Sequence, residues 1–223
     1  MDVIKAIKSR NTVRAFTSIP VSREILLELL DVAIKAPSWS NSQTWEFAVV
    51  GGEVMEELRQ VLADKAIKQE ERNPDIPRAE FPSPYHERGR ENITRLQQLL
   101  GSSRDDKDKQ LQWASRMMGF FGAPSCIIVY TEKGISNWAL LNIGLVIENI
   151  TLAALNYGLG TAILAAPVGY PSEIKRFLNI KESKQLVVGI AIGYPDAQAK
   201  VNEFRSNRVP LENISSWHGF DNP

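Results

Sequence analysis

The residues best suited to chemistry lie near the start of the chain, in the run Arg10-Asn11-Thr12-Val13-Arg14. A phosphate group is held by two or three cations together with hydroxyl or amide donors, and this run supplies that mixture within five positions. A solvated basic helix end has the same composition, because the helix dipole favours cations there. Taken alone, the run leaves both interpretations open.

A second candidate is the segment APSWSNSQTW at residues 36–45, in which six of the ten residues carry Ser, Asn, Gln or Thr side chains. These groups both donate and accept hydrogen bonds, so the segment suits a heterocycle rich in carbonyl groups and ring nitrogens. A self-bonded Ser/Asn turn is the alternative. Composition does not separate the two.

A third candidate is the C-terminal run FRSNRVPL at residues 204–211, where Arg205 and Arg208 flank small polar residues. Several familiar motifs are missing. There is no P-loop and no Gly-x-Ser-x-Gly elbow, and Gly158-Leu159-Gly160 lacks the third glycine of a dinucleotide fingerprint. Cys126 stands in an apolar strand, which indicates an inert core residue.

Composition bounds the class of protein. The 223 residues contain 26 Lys and Arg against 26 Asp and Glu, and this balance argues against a dedicated nucleic-acid binder without excluding a local basic cluster. One cysteine excludes an internal disulfide, and two histidines nearly exclude a histidine-centred metal site. No apolar leader follows MDVIKAIKSR, and polar residues interrupt the longest apolar stretch, 138–157. We therefore expect a cytoplasmic protein without a membrane span.

The elements that must position these segments follow from hydrophobic spacing and turn residues. The pattern predicts strands at 45–50, 124–130, 161–164 and 185–193, without a regular alternation of strand and helix. Ser22 caps one predicted helix. The stretch 138–157 is apolar nearly all round, so this helix needs cover on every side, which a partner chain supplies most easily. Predicted helices span residues 2–9, 22–35, 53–68, 138–157 and 171–178.

Residues 70–115 form an expected insertion into a single domain covering 1–223. Its start is proline-rich and the rest is polar, which predicts a lid-like excursion with one exposed helix at about 91–101. Tyr85 and Arg88 offer an aromatic face and a cation to an anionic aromatic molecule. A solvated loop without a role is the alternative.

Taken in order, the segments SRNTVRAF, APSWSNSQTWEFAVV, GLGTAIL, VVGIAIGYP and FRSNRVPLENI resemble those of the FMN-dependent nitroreductase family. The resemblance covers nearly the whole chain outside the insertion. It implies an α+β fold with a central mixed or antiparallel sheet of four to five strands flanked by helices. It also implies an intertwined homodimer with flavin mononucleotide (FMN) sites at the interface.

The resemblance also assigns residues. It implies that Arg10, Asn11, Thr12 and Arg14 bind the FMN phosphate, joined by Arg205 and Arg208. It implies that the loop residues Pro37, Ser38, Trp39, Asn41 and Gln43 reach the flavin, usually from the other subunit. It implies further that backbone groups of Ala165 and Ala166 lie against the isoalloxazine ring.

The function implied is an NAD(P)H oxidoreductase that reduces nitroaromatic or quinone-like acceptors by two-electron ping-pong transfer. FMN carries the chemistry, and NADH or NADPH is the reductant. Two alternatives stay open at this point. One is an FMN enzyme with another reaction, such as a reductive dehalogenase or ene-type reductase, and the other is a non-catalytic flavin- or phosphate-binding protein.

Overall fold

The computed structural model describes residues 2–77, 80–103 and 105–220. Seven α-helices and four β-strands lie in these ranges. In chain order they are α1 Val3–Ser9, α2 Arg23–Ala33, β1 Glu46–Gly51, α3 Gly52–Ile67, α4 Tyr85–Leu99, α5 Lys107–Met118, β2 Ser125–Glu132, α6 Asn137–Asn156, β3 Gly160–Leu164, α7 Pro171–Leu178 and β4 Lys184–Gly193.

The four strands form one sheet in the order β1-β2-β4-β3, and every neighbouring pair is antiparallel. The α+β fold expected from the sequence is confirmed, and the sheet is the purely antiparallel, four-stranded form of it. Because successive side chains of a strand point to opposite faces, β2 supplies both cores. Cys126 and Ile128 face one core, whereas Ile127 and Val129 face the other.

Helices cover both faces of the sheet. Leu58 of α3, Met118 of α5 and Ile174 of α7 are buried in the first core. Leu29 of α2 and Ile150 of α6 are buried in the second. The sheet is therefore the middle of three layers, and it fixes where the loops at its edges come out.

Helix α6 is covered on one side only. Ala139, Ile143 and Ile150 are buried, whereas Trp138, Leu141 and Leu145 are exposed. Among the described helices, α6 alone is long and apolar enough to cross a membrane by length and composition, a test that core helices of soluble proteins also pass. The expectation that all its faces are covered does not hold within one chain.

The insertion differs from its expected form. The prediction of one exposed helix at about 91–101 is wrong, because α4 begins at Tyr85 and a second helix, α5, begins at Lys107. Leu96 of α4 is buried in a third, small cluster with Val201 and Phe204. Although the insertion is polar in composition, it therefore buries one apolar face of α4 against residues 200–220, the C-terminal segment.

Candidate functional site

The segment 10–14 lies beside strand β3. Thr12 forms an isolated parallel bridge with Thr161, and the Val13 N–H donates to the Thr161 carbonyl at 2.9 Å. The approach is close because Gly160 has no side chain: a Cβ there would lie 2.4 Å from Cγ2 of Val13. The strand therefore fixes the position of this segment.

The same strand leads directly to the third predicted part of the site. β3 ends at Leu164, so Ala165 and Ala166 follow it, with Ala165 exposed and Ala166 half-buried. Ala165 and Ala166 form a bend directly after the strand. Strand β3 thus contacts segment 10–14 at Thr161 and leads four positions later to Ala165, a path of about 13 Å at most.

Arg14 joins the segment to the C-terminal region. Its backbone N–H donates to Oδ1 of Asn202 at 2.7 Å, and Nδ2 of Asn202 donates to the Ala15 carbonyl at 2.8 Å. Its guanidinium donates to the Thr12 carbonyl at 3.3 Å and lies 5.6 Å from the centroid of the Phe204 ring. The structure thus brings residues 10–14 and the region around Phe204 together, as the sequence analysis expects.

The charge on Arg14 has no carboxylate partner within the described ranges. Desolvation by burial lowers the pKa of its guanidinium, but an arginine stays protonated at neutral pH even so. A half-buried cation without a counter-ion is costly unless a bound anion compensates it. Arg14 is therefore the strongest indication of an anion site in this structure.

The two C-terminal arginines lie in different places. Arg205 lines a cavity of about 270 Å³ together with Asn11 and Val13. Arg208 lines a second cavity of similar size with residues of α4. Both donate to nearby backbone carbonyls, Arg205 to that of Asn202 at 2.7 Å and Arg208 to that of Asn207 at 3.1 Å. Arg205 is thus the one that shares a cavity with segment 10–14.

Arg10 is less free than Arg14. Its Nε atom lies 3.7 Å from Oε1 of Glu148 on α6, with both side chains partly exposed. An exposed pair at this distance contributes little energy, so the guanidinium remains able to turn to another anion.

The loop at 37–43 is held by α6. Asn142, which is 4% exposed, accepts from the Trp39 N–H at 3.1 Å and donates to Oγ of Ser42 at 3.3 Å and Oγ1 of Thr44 at 3.4 Å. Within the described residues, the hydrogen bonds from this loop to other elements all go to α6. The loop is not brought to segment 10–14 of its own chain by these bonds.

The backbone of this loop is unusual. Ser40, Asn41 and Gln43 have φ values of 50°, 56° and 45°, in the left-handed region that non-glycine residues adopt rarely. The Trp39 and Trp138 rings meet edge to face with centroids 5.0 Å apart, and both are more than half exposed. Pro37, Asn41 and Gln43 are also exposed and Ser38 is half-buried, so the loop presents its side chains outward.

Tyr85 and Arg88 lie in the first turn of α4. The Arg88 guanidinium is 5.2 Å from the centroid of the Tyr85 ring, which is 57% exposed. Arg88 lines the same cavity as Arg208. The two predicted substrate residues thus lie near the C-terminal segment.

Sequence reasoning missed Asn142, Asn202 and Arg95, which contact the predicted site residues. Asn202 and Asn142 fix the backbones of the segment and of the loop, and Arg95 donates to the Arg205 carbonyl at 3.3 Å. An asparagine in an apolar helix was the one available signal for Asn142. Cys126 is buried, and burial raises the pKa of its thiol, in line with an inert core residue.

Comparison with known proteins places this geometry in a family. A sequence model described as the Nitroreductase family matches residues 7–194. A 4-nitrobenzoate reductase of Pseudomonas putida is 32% identical over 99% of this chain and 97% of its own.

Two solved structures are also similar. The FMN and NADPH-dependent nitroreductase NfnB from Sphingopyxis sp. strain HMH has a TM-score of 0.94 and 26% identity, covering 99% of this chain and all of that one. The FMN-dependent nitroreductase NfnB from Mycobacterium smegmatis, solved in complex with NADPH, has a TM-score of 0.92 and 27% identity, covering 97% of this chain and all of that one.

The structure combines an α+β fold around one antiparallel sheet with a basic segment bridged to strand β3 through Thr12 and Thr161. The chain belongs to the Nitroreductase family. The resemblance drawn from the sequence is confirmed.

Proposed function

We propose that this protein is an FMN-dependent NAD(P)H oxidoreductase that reduces nitroaromatic or quinone-like acceptors. The observation that carries the proposal is the half-buried Arg14, which lacks a carboxylate partner among the described residues and sits beside the strand that leads to Ala165. The relatives named above, a 4-nitrobenzoate reductase and two FMN-dependent nitroreductases, support it over the dehalogenase and binding-protein alternatives.

The residues present fit FMN. Arg14 supplies a desolvated cation, Thr12 a hydroxyl and Asn11 an amide, and Arg205 shares the cavity of Asn11. This donor set suits a phosphate dianion, to which one guanidinium group can donate two parallel hydrogen bonds. Arg10 is the first residue of segment 10–14, and Arg208 lines the neighbouring cavity. We therefore assign both to the part of the site that binds the FMN phosphate.

The ring end of the site is built from two segments. Ala165 and Ala166 offer backbone groups at the end of β3, and the 37–43 loop offers exposed amide groups of Asn41 and Gln43. Such donors orient a carbonyl-rich ring. When bound, FMN would supply the two-electron redox chemistry of the reaction. The residues of this chain bind the FMN phosphate and orient the flavin ring.

We expect the 37–43 loop to contribute to the FMN site of a second copy of this chain. Within one chain its hydrogen bonds go to α6, whose exposed residues Trp138, Leu141 and Leu145 continue the same surface. Large exposed apolar side chains rimmed by polar ones indicate a protein interface. We therefore propose a homodimer joined along α6, with each site built from both chains.

Other parts of the chain support this dimer. Val3, Ile4 and Ile7 of α1 are each more than half exposed, although their spacing gives the helix an apolar face. In the C-terminal segment Leu211 and Trp217 are 62% and 67% exposed. A second copy of the chain would cover these side chains. We further propose a cytoplasmic location and a single domain, with residues 70–115 as its lid-like insertion.

A visible absorption spectrum of the purified protein tests the function. We expect flavin bands that bleach on anaerobic addition of NADPH or NADH and return when 4-nitrobenzoate is added. Flavin that binds but is not reduced would contradict the enzyme and favour a carrier. A protein that stays colourless after incubation with FMN would refute the cofactor assignment.

A matched pair of variants tests the site. Arg14→Ala should weaken FMN binding by about tenfold or more, because a charge-assisted contact to phosphate is lost. The exposed Arg23→Ala on α2 serves as the control and should bind FMN normally. Normal FMN affinity in Arg14→Ala with loss of turnover would contradict the phosphate assignment.

A further inference from the structure

A cavity of about 270 Å³ lies between helix α4 and the C-terminal segment, apart from the cavity that Arg205 and Asn11 share. Residues 207–210 form one of its walls. Arg88, Glu91, Asn92 and Arg95 form the other. Glu91, Asn92 and Arg95 follow Arg88 by three, four and seven positions, so the four residues lie on one face of α4.

The cavity concentrates positive charge. Arg88, Arg95 and Arg208 line it, and in the described part of the chain none of the three pairs with a carboxylate. Arg208 and Arg95 donate only to backbone carbonyls in these ranges, and the Arg88 guanidinium lies against the Tyr85 ring. The cations are thus available to an anion.

Glu91 sets the net charge that the anion must match, and Asn92 is a further polar residue of the cavity wall. Glu91 accepts from Nδ2 of Asn207 at 3.2 Å, so its charge remains in the cavity. Three cations and one carboxylate leave two net positive charges, which match a dianion. Asn92 has a buried side-chain oxygen without a partner among the described residues.

The walls of the cavity are held in place by packing. Leu96 of α4 is buried with Phe204 and Val201, and the Arg95 guanidinium lies 5.6 Å from the Phe204 ring centroid. The Arg14 guanidinium lies at the same distance from that ring. The cavity is therefore preformed and borders the cations already assigned to the phosphate end of the site.

We propose that this cavity binds a phosphate monoester, with Arg95 and Arg88 of the insertion joining Arg208. The proposal rests on the function proposed above, which brings two phosphate monoesters to this protein. One is the 5′-phosphate of FMN, which riboflavin lacks. The other is the 2′-phosphate of NADPH, which NADH lacks. Helix α4 then recognises phosphate as well as covering the site.

The experiment uses variants of α4 and ligands that differ by one phosphate. Arg95→Met and Arg88→Met remove cations from the cavity, and Arg90→Met is the matched control, an exposed arginine of the same helix that does not line it. FMN and riboflavin are titrated into apoprotein by quenching of flavin fluorescence. Holoenzyme is titrated with 2′,5′-ADP and 5′-ADP, and the KM values for NADPH and NADH are measured.

Two results support the proposal and identify the source of the phosphate. A loss of about tenfold or more in FMN affinity with unchanged riboflavin affinity assigns the cavity to FMN. A similar loss for 2′,5′-ADP and NADPH, with 5′-ADP, NADH and FMN unchanged, assigns it to NADPH. The Arg90→Met control should match the wild type in both assays.

Other results overturn it. Unchanged phosphate discrimination in both Arg95→Met and Arg88→Met shows that the cavity binds no phosphate. An equal loss for FMN and riboflavin shows a structural role in place of recognition. If the wild-type protein binds neither flavin, the proposed function itself fails, an outcome distinct from the failure of the cavity.

Discussion

Replacing Asn142 with leucine should loosen the 37–43 loop and thereby weaken the contact that we propose between this loop and the flavin ring. This buried side chain makes two hydrogen bonds to the loop, accepting from the Trp39 N–H at 3.1 Å and donating to the Ser42 hydroxyl at 3.3 Å, and it donates a third to the hydroxyl of Thr44, directly after the loop, at 3.4 Å. Such bonds contribute about 1 kcal/mol each, and the two long ones less. Their loss removes about 2 kcal/mol from the observed loop conformation.

That amount is enough to change the loop. Ser40, Asn41 and Gln43 occupy left-handed backbone conformations that cost of order 1 kcal/mol each for residues other than glycine. Without Asn142, relaxed conformations compete, and the apparent affinity falls with the fraction that stays competent. A change of 2 kcal/mol corresponds to a loss of about 30-fold.

The assay is titration of apoprotein with FMN and with riboflavin. Both ligands should lose affinity equally, because the loop is assigned to the ring and not to the phosphate. Asn149→Leu is the control: Asn149 lies on the same helix and donates to the Ala33 carbonyl at 3.1 Å, away from the loop. Riboflavin affinity within about twofold of the wild type in folded Asn142→Leu protein would refute the reasoning.

Three further predictions concern the sheet, the insertion and the interface. Gly160→Ala places a Cβ 2.4 Å from Cγ2 of Val13 and 2.9 Å from Cγ of Pro195, so FMN affinity should fall by about tenfold in titrations; Val13→Ala removes only the closer contact and should restore part of the affinity, and an unchanged affinity in Gly160→Ala would contradict the steric reasoning. Asp75→Asn removes the close carboxylate, 2.8 Å away, from Lys175, which is 2% exposed, and leaves it only the more distant and exposed Glu182 at 3.9 Å; urea denaturation should show the free energy of unfolding about 3 kcal/mol lower, and an unchanged value would argue against a buried pair. Leu145→Glu should sediment as a monomer, and a persistent dimer would exclude α6 from the interface.

Local signals in the sequence were sufficient for most of the sheet and its helices. Ser22 caps α2 as predicted, accepting from the Ile25 N–H at 3.4 Å. The apolar runs at 124–130 and 185–193 correspond to β2 and β4, which are buried on both faces and therefore lack alternation. These elements are encoded within a few residues of chain, so a single sequence reveals them.

Helix α5 shows why the insertion was harder to predict. Its first turn is a charged run that resembles a loop, although Asp106 caps it by accepting from the Lys109 N–H at 3.1 Å. Only Trp113, Met117 and Met118 contact the first core. A helix with so narrow an apolar face has too weak a periodic signal to outweigh its polar composition.

Candidate site residues that stand in local motifs could be proposed from the sequence, whereas their partners in the tertiary structure could not. Arg14 stood in a recognisable basic run, and the structure places it beside β3. Asn142 lies 100 residues from Ser42, to which it donates, and Arg95 lies 110 residues from Arg205. No local pattern marks such partners, because their role is created only when the sheet and the insertion have folded.

The neutral charge of the whole chain conceals how its cations are divided. In the described ranges the lysines at 65, 175 and 184 are paired with carboxylates within one chain, and they stabilise the fold. Arginines 14, 88, 95, 205 and 208 have no such partner there and lie around the C-terminal segment. Because Arg binds phosphate bidentately and keeps its charge when desolvated, this separation is what a phosphate-bearing cofactor requires. An equal count of acids and bases therefore argues against a dedicated nucleic-acid binder and is compatible with a local anion site.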